Sequence, residues 1–292
     1  MRIVSLSCIV TMMVMPSLAY ADLPLTVEDL ITDKGKIKLE TAIAYANSEL
    51  TGVFVGEPIL IQTAQTSFVA VPTQIGEGRS NNDTLVGTLG LRYGLTAKAE
   101  VFTRASYLYS SSRRSDVLGI SQSSDNYLAD VWLGLNYQIK QDTKTPALLG
   151  FAEMAVQEKR FESNYAFKSY LVGVTTYKAI DPIVFSLTSA YRLNLRSEEN
   201  GLSEKQGNLF LFNPSIAFAV NDRVTLTTGL QWINRQANKL NNQTESFRHT
   251  STDLLLGVGY GISKGSTVNT TFKLNASGSN GADLRLNWLH TF

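Results

Sequence analysis

Apolar and polar residues alternate one by one over much of this chain. The final segment shows the pattern clearly, because one face carries Leu284, Leu286, Trp288, His290 and Phe292 while the other face is mostly polar. A period of two residues is typical of a β-strand with one apolar and one polar face. Segments of about ten residues with this pattern recur along the chain, and turn-forming residues separate them. The pattern therefore predicts a fold made of amphipathic strands.

Counting these segments predicts twelve strands. Their approximate bounds are 36–47, 83–94, 98–110, 126–139, 147–158, 166–178, 183–195, 208–220, 224–235, 250–261, 266–275 and 282–292. From residue 94 onward, short turns such as 94–97 and 179–182 alternate with long polar connections such as 111–125 and 236–249. This alternation is typical of bacterial outer-membrane barrels, in which short turns face the periplasm and long loops face outward.

Amphipathic strands fit either a soluble sandwich or a membrane barrel, because the apolar face can turn toward a core or toward lipid. The strand length, the alternating connections and the aromatic Phe292 at the end of an amphipathic strand favour the barrel. We predict an all-β fold, a transmembrane antiparallel up-and-down β-barrel in the bacterial outer membrane. The expected partners are outer-membrane lipid, lipopolysaccharide and the barrel assembly machinery, for which Phe292 is the predicted assembly signal.

The stretch 48–82 leaves two interpretations open. Part of it also looks β-forming, and counting that part as a further wall strand would give an odd total. In one interpretation, 48–82 is a long first extracellular loop with a small hairpin that pairs Ile59–Gln62 with Phe68–Val71. In the other, 59–72 is the first wall strand and 36–47 lies outside the barrel. Both interpretations give twelve strands, and an even number places both termini in the periplasm.

The start of the chain reads as a secretory signal peptide over residues 1–21. Arg2 precedes an apolar run, and small residues at Ala19 and Ala21 form a cleavage site. For residues 22–35, a short helix that plugs the periplasmic mouth and an unstructured leader are both open. The barrel itself is predicted to span 36–292.

The charged residues of the predicted strands indicate what the polar face contacts. The chain has 26 basic and 25 acidic residues. A charge on the lipid face would cost about 2–4 kcal/mol for Arg or Lys near the membrane centre. The strand charges lie largely on the other face, and the candidates for lining the lumen are Lys38, Glu40, Arg92, Glu100, Arg104, Asp130, Glu153, Arg192, Arg235, Asp253, Lys273, Asp283 and Arg285. These residues either pair across a closed interior or line a wet channel and bias its selectivity. A narrow pore and a lumen occluded by the first loop are both compatible with twelve strands.

Composition excludes several other classes of function. The charge balance lacks the basic excess of a nucleic-acid-binding protein, and hydrophobic residues make up 43% of the chain, which argues against disorder. A single cysteine excludes a Cys-based zinc site, and the sequence shows no metal-ligand cluster and no phosphate-binding loop. The two histidines, His249 and His290, read as loop and interface residues. We therefore expect no enzyme activity, no cofactor, no metal site and no nucleic-acid partner.

Several motifs resemble those of one protein family. The sequence LVGTLGLRYGLT at 85–96 is followed by Ala99-Glu100-Val101, and AIDP at 179–182, AVNDR at 219–223 and LRLNW at 284–288 are further matching pieces. They resemble the bacterial outer-membrane barrels labelled meta-pathway phenol-degradation or transporter-like proteins, in which a strand ends in Arg-Tyr-Gly-Leu-Thr before a tight turn. The resemblance spans about 36–292 and implies uptake of small, hydrophobic or aromatic compounds.

The predicted function is an outer-membrane channel or transporter for small molecules. The alternative is a structural partner barrel in an export or surface-fibre assembly system.

Overall fold

The computed structural model describes residues 31–55, 59–71, 75–116, 119–160, 163–199, 202–277 and 281–292. The predicted signal peptide and most of the segment 22–35, for which a helix and an unstructured leader were both open, lie outside these ranges. Residues 31–35, the described part of that segment, are not helical. Within the described ranges, no helix is long and apolar enough to cross a membrane.

Twelve strands of the described residues form the wall of a closed barrel. They are β1 (Ile37–Val55), β2 (Ile75–Thr96), β3 (Ala99–Asp116), β4 (Gly119–Lys140), β5 (Ala147–Arg160), β6 (Ser169–Ile180), β7 (Ile183–Asn194), β8 (Leu209–Ala219), β9 (Val224–Arg235), β10 (His249–Ser263), β11 (Ser266–Asn275) and β12 (Gly281–Thr291). Each strand pairs antiparallel with its neighbours in sequence, and β12 pairs with β1 from Thr291↔Lys38 to Gly281↔Ser48. The predicted antiparallel up-and-down barrel is confirmed.

One end of the barrel carries the short turns and the other the long connections. Strands β2 and β3 join through Ala97 and Lys98 and β6 and β7 through Asp181 and Pro182, whereas β7 and β8 are separated by 195–208. Both the start of β1 and the last residue lie with the short turns, since the Phe292 N–H donates to the Ile37 carbonyl at 2.9 Å. We call these the turn end and the loop end.

The first four strands extend further at the loop end than predicted. Strands β1 and β2 continue to the pair Val55↔Ile75, and β3 and β4 continue to Asp116↔Gly119, through residues that were predicted to be loops. The extensions were missed because beyond the apolar band both faces of a strand meet water, so the alternation of apolar and polar residues ends while the backbone ladder continues. The predicted loops 48–82 and 111–125 are therefore largely paired strand.

Two other predicted loops contain a sheet of their own. The short strands Ser197–Glu199, Leu202–Lys205, Lys239–Leu240 and Gln243–Thr244 form a four-stranded sheet at the loop end. Another short strand, Ser163–Tyr165, pairs with the end of β5.

The outward positions of the wall carry exposed apolar side chains. Leu89 on β2 is 58% exposed and Leu286 on β12 is 46% exposed. Large apolar side chains exposed in this way occur on eleven of the twelve described wall strands, and β5 has only Ala152 exposed. A soluble monomer rarely exposes so much contiguous apolar surface, whereas lipid tails accommodate it without cost. The outer surface of the wall is thus apolar.

Most of the aromatic residues on the apolar side of the predicted strands do lie on this outer surface. The alternation predicts that ten of them face lipid, namely Tyr93, Tyr107, Tyr109, Tyr127, Tyr137, Tyr191, Trp232, Tyr260, Trp288 and Phe292. Those exposed are Tyr93, Tyr107, Tyr109, Tyr137, Tyr191, Tyr260, Trp288 and Phe292. Trp232 is half-buried and packs edge-on against Phe210, with ring centroids 5.9 Å apart.

The prediction for Tyr127 was wrong, because this residue packs inside the barrel. The register of β3 and β4 shifts between Ser106 and Tyr107, so that Ala129 is an extra residue in β4. Ala129 and Asp130 are both buried, which reverses the alternation on the loop side of the bulge. Tyr127 therefore contacts an interior apolar cluster.

A charge on the apolar face should destabilise the folded barrel. We expect Leu89→Arg to lower the free energy of unfolding by about 2–4 kcal/mol, because the guanidinium group would lie in hydrocarbon. The matched control is Ile120→Arg, since Ile120 is 86% exposed at the loop end. Urea titration of the barrel in phospholipid vesicles, followed by tryptophan fluorescence, measures both. Equal losses in the two variants would contradict a lipid-facing position for Leu89.

Candidate functional site

The structure places every residue that was predicted to face the lumen in the barrel interior. Those buried are Lys38, Glu40, Glu100, Arg104, Asp130, Glu153, Arg192 and Asp253. Those half-buried are Arg92, Arg235, Lys273, Asp283 and Arg285. The interior is therefore a dense set of charged groups, and its electrostatics depend on how they pair.

Near the turn end, Arg92 lies between two carboxylates. Its Nη2 is 2.7 Å from Glu40 Oε2 and its Nη1 is 3.1 Å from Glu100 Oε1. Amide groups complete the cluster, because Asn287 Nδ2 donates to Glu40 at 3.0 Å and Asn136 Nδ2 donates to Glu100 at 2.6 Å. The contacts join β1, β2, β3, β4 and β12, so this cluster braces one side of the interior.

Further toward the loop end, two ion pairs surround an aromatic ring. Arg104 pairs with Glu153, and Arg192 Nη2 is 3.0 Å from Glu158 Oε2. Both guanidinium groups lie 5.0 Å from the centroid of the buried Trp132 ring. A buried ion pair contributes little net stability, but loss of one partner leaves an uncompensated charge at a cost of about 3–5 kcal/mol. These pairs therefore fix the positions of side chains in the middle of the lumen.

A β-hairpin fills part of the interior. Its strands, Ile59–Gln62 and Phe68–Val71, pair with each other from Ile59↔Val71 to Gln62↔Phe68 and with no other described strand. Ile61, Phe68, Val69 and Val71 are each at most 3% exposed. The segment is therefore an inward-folded hairpin, and the interpretation that made 59–72 the first wall strand is wrong.

Apolar contacts hold both faces of the hairpin. Ile61, Val69 and Val71 belong to a cluster with the wall residues Val86 and Leu108. Phe68 belongs to a second cluster, which includes Trp132, Leu171, Leu209, Leu211 and Ile233. Because these clusters join opposite parts of the wall, the hairpin crosses the lumen.

Hydrogen bonds between the hairpin and the wall fix the orientation of the hairpin. Gln231 Nε2 on β9 donates to Gln62 Oε1 at 2.9 Å, and Gln65 Nε2 donates to Thr188 Oγ1 on β7 at 3.1 Å. Arg192 Nη1 donates to the Phe68 carbonyl at 3.4 Å. Neither Gln231 nor Thr188 was predicted to line the lumen. Both occupy positions of the alternating strand pattern that point inward, and this is the one signal that could have identified them.

Open space remains beside the hairpin turn, residues 64–67. One cavity of about 80 Å³ and another of about 150 Å³ are both lined in part by Ala64, Gln65, Glu40 and Arg92. In the smaller one, Phe102 and Phe151 lie over glycines of the paired strands, since a Cβ at Gly134 or Gly173 would be 2.3 Å from a ring carbon. The rings thus lie against the wall, which leaves volume for water or solute.

The segment that precedes β1 enters the turn end of the barrel. Thr32 is buried, and its backbone N–H donates to Glu100 Oε2 at 2.6 Å. The Gly35 N–H donates to the Gly94 carbonyl at 2.8 Å, and the Gly94 N–H donates to the Lys36 carbonyl at 3.1 Å. Gly94 belongs to the Arg-Tyr-Gly-Leu-Thr motif, and the close approach of this segment gives a reason for glycine there.

The two histidines lie at opposite ends of the barrel. His249 is exposed at the loop end and is the cross-strand partner of Arg235 on β9. His290 lies between the rings of Trp288 and Phe292, at centroid distances of 5.8 and 4.5 Å. Within the described residues, no group of three or more His, Cys, Asp or Glu side chains could hold a metal ion.

Comparison with known proteins identifies the fold. No protein-family model matches the chain, and no curated protein sequence matches it. An outer membrane channel from Pseudomonas putida F1 is a similar solved structure, with 11% identity, a TM-score of 0.62 and coverage of 91% of this chain and 98% of that chain. The beta domain of the Bordetella autotransporter BrkA has 10% identity and a TM-score of 0.51, covering 89% of this chain and 100% of that chain. The chain has the fold of bacterial outer-membrane β-barrels.

The packing at Gly94 predicts how the N-terminal segment can be released. A Cβ at Gly94 would lie 2.0 Å from the Asp33 carbonyl oxygen and 2.4 Å from that of Thr32. We expect Gly94→Ala to displace residues 31–36 and to speed cleavage by trypsin after Lys34 and Lys36 in the folded protein. Gly87→Ala on the same strand is the control, because a Cβ there has no neighbour within 4 Å. Identical cleavage rates in both variants would show that the segment does not depend on this contact.

Proposed function

We propose that the protein is an outer-membrane channel through which small molecules pass along the polar interior. The observation that carries this proposal is a closed barrel with an apolar exterior and a charged interior, in which cavities of about 80 and 150 Å³ flank an inward-folded hairpin. Twelve strands enclose more space than the side-chain-filled interior of eight strands and less than a sixteen-stranded porin. The channel is thus suited to small solutes.

In this proposal the turn end faces the periplasm and the loop end faces outward, as in other bacterial barrels. The segment 22–35 acts as a plug at the periplasmic mouth, and the buried contact between the Thr32 N–H and Glu100 supports this. Phe292, which is 64% exposed at the end of the last strand, is the assembly signal for the barrel assembly machinery. Lipopolysaccharide contacts the loop end.

The hairpin forms the constriction of the channel. It makes no ladder hydrogen bonds with the described wall strands, so side-chain contacts alone hold it in the lumen. Such contacts can be exchanged for water without breaking any strand pair of the wall. Displacement of the hairpin therefore opens the channel while the barrel stays closed around it.

The family resemblance of the sequence supports small hydrophobic or aromatic solutes, and the similar structure from Pseudomonas putida F1 is described as an outer membrane channel. The charged side chains of the interior line the path of the solute. A barrel for export or surface-fibre assembly is the competing function, and it shares the fold with the BrkA beta domain. Conductance separates the two, because an assembly barrel sealed by its own hairpin passes no current.

Removal of the hairpin should widen the channel. Val55 and Ile75 are direct cross-strand partners, so a short Asn-Gly turn can replace residues 56–74 without stretching the wall. We expect a several-fold larger single-channel conductance in planar bilayers and faster passage of sugars into liposomes, because the buried hairpin side chains would give way to water.

The control shortens a different hairpin. Arg113 and Gln122 are cross-strand partners, and replacing residues 114–121 by the same turn removes a similar extension at the loop end. This variant should keep the wild-type conductance, and heat-modifiable migration on a denaturing gel verifies that both variants are folded. An unchanged conductance after removal of 56–74 would refute the hairpin as the constriction. Sealed bilayers with every folded variant would refute the channel.

A further inference from the structure

One cation in the barrel interior, Arg285, forms no ion pair with the described residues. Arg285 projects inward from β12, and its one side-chain hydrogen bond is from Nη2 to Thr271 Oγ1 at 3.4 Å. Its Nη1 is buried and has no hydrogen-bond partner. Asp283, two residues away on the same face of the strand, is paired with Lys273 instead. Arg285 therefore carries a positive charge that the described part of the protein does not neutralise by an ion pair.

The carboxylates Glu40 and Glu100 form their hydrogen bonds with other groups. Glu40 receives two hydrogen bonds from Arg92, at 2.7 and 3.1 Å, and a third from Asn287. Arg92 also pairs with Glu100. Arg92 is therefore shared by two carboxylates, and the cluster keeps one negative charge in excess that attracts Arg285 through space. No hydrogen bond or ion pair joins these carboxylates to Arg285 among the described residues, so its guanidinium N–H groups remain available to a ligand.

Arg285 lines the cavity of about 150 Å³ beside the hairpin turn. Lys38, Arg92 and Glu40 line the same cavity, so three cationic side chains and one carboxylate surround it. Gly257 and Gly259 occupy two successive inward positions of β10, and the missing side chains leave room above that strand. A cavity of this volume accommodates a molecule the size of benzene.

One amide group of the cavity can donate to an oxyanion. Asn269 and Asn287 are cross-strand partners that line it, and Asn269 Nδ2 has no hydrogen-bond partner among the described residues. A guanidinium group binds a carboxylate with two parallel hydrogen bonds, and an amide N–H adds a third. Leu255 and Leu289 line the same cavity and offer an apolar surface for the carbon body of a ligand.

We propose that this cavity is a binding site for a small monocarboxylate, with Arg285 as its anchor and a body no larger than one six-membered ring. The site rests on the proposed channel function and extends it, because it puts a binding site for anions next to the constriction. Gln62 and Gln65 of the hairpin line the cavity as well, so an occupied site lies in direct contact with the constriction.

Calorimetric titration of the folded full-length barrel in detergent tests the site, with benzoate and its uncharged isostere benzamide as probes. We expect benzoate to bind at least about tenfold more tightly than benzamide, which corresponds to a charge-assisted hydrogen-bond pair. Arg285→Gln should abolish this preference. The matched control is Arg235→Gln, because Arg235 is an inward arginine that does not line the cavity. It should leave both affinities within about twofold of the wild type.

Arg285→Lys keeps the positive charge but lacks the planar guanidinium group with its paired N–H donors. It is the variant to use if Arg285→Gln does not fold. It should weaken benzoate binding and leave benzamide binding unchanged. Equal binding of benzoate and benzamide by the wild type, or an unchanged benzoate affinity in every folded Arg285 variant, would overturn the site.

Flux into liposomes separates this proposal from the channel itself. Passage of neutral sugars without Arg285-dependent binding of benzoate would leave the channel in place and remove the site. Benzoate binding that depends on Arg285, together with sealed liposomes, would keep the site and remove the channel.

Discussion

Every other feature of this molecule depends on the closed ladder of backbone hydrogen bonds. In hydrocarbon, an unpaired N–H or C=O group costs several kcal/mol, so a sheet crosses a membrane only if it has no edge. The pairing of β12 with β1 removes the edges that the first and last strands would expose. Once the wall is closed, side chains alternate between lipid and lumen, and the interior becomes the place where strand charges can be paired at low cost.

Side chains on the inner face of the wall stabilise the structure in two ways. Arg92, Arg104 and Arg192 pair with carboxylates of other strands, so they brace the wall from inside. The hairpin at 59–71 depends on the same surface but adds no strand to it, since its ladder is internal. Wall and occluding element are therefore stabilised by different interactions: backbone hydrogen bonds for the first, side-chain packing for the second. The hairpin can therefore change its position while the wall keeps its strand pairing.

Much of the wall was predictable from the sequence, because a period of two and the turn signals are local properties. Strand β9 has the predicted bounds, 224–235. The bulge at Ala129 was not predictable, because one extra residue leaves no mark on the local composition while it moves Tyr127 to the inside. The alternation places Gln231 and Thr188 on the inner face, but their contacts with the hairpin were not predictable. They are set by how an excursion of the chain folds back across the lumen, and this depends on contacts between residues more than a hundred positions apart.

The seam between β1 and β12 also determines when the structure can form. Glu40 on the first strand and Asn287 on the last are 247 positions apart, yet they share a hydrogen bond of 3.0 Å inside the barrel. Contacts of such sequence separation carry a high loop-closure entropy and form late. The chain must therefore remain unsealed until its last strand arrives. The pairing of this strand with β1 then closes the wall, and the contact between Asn287 and Glu40 completes the cluster inside it.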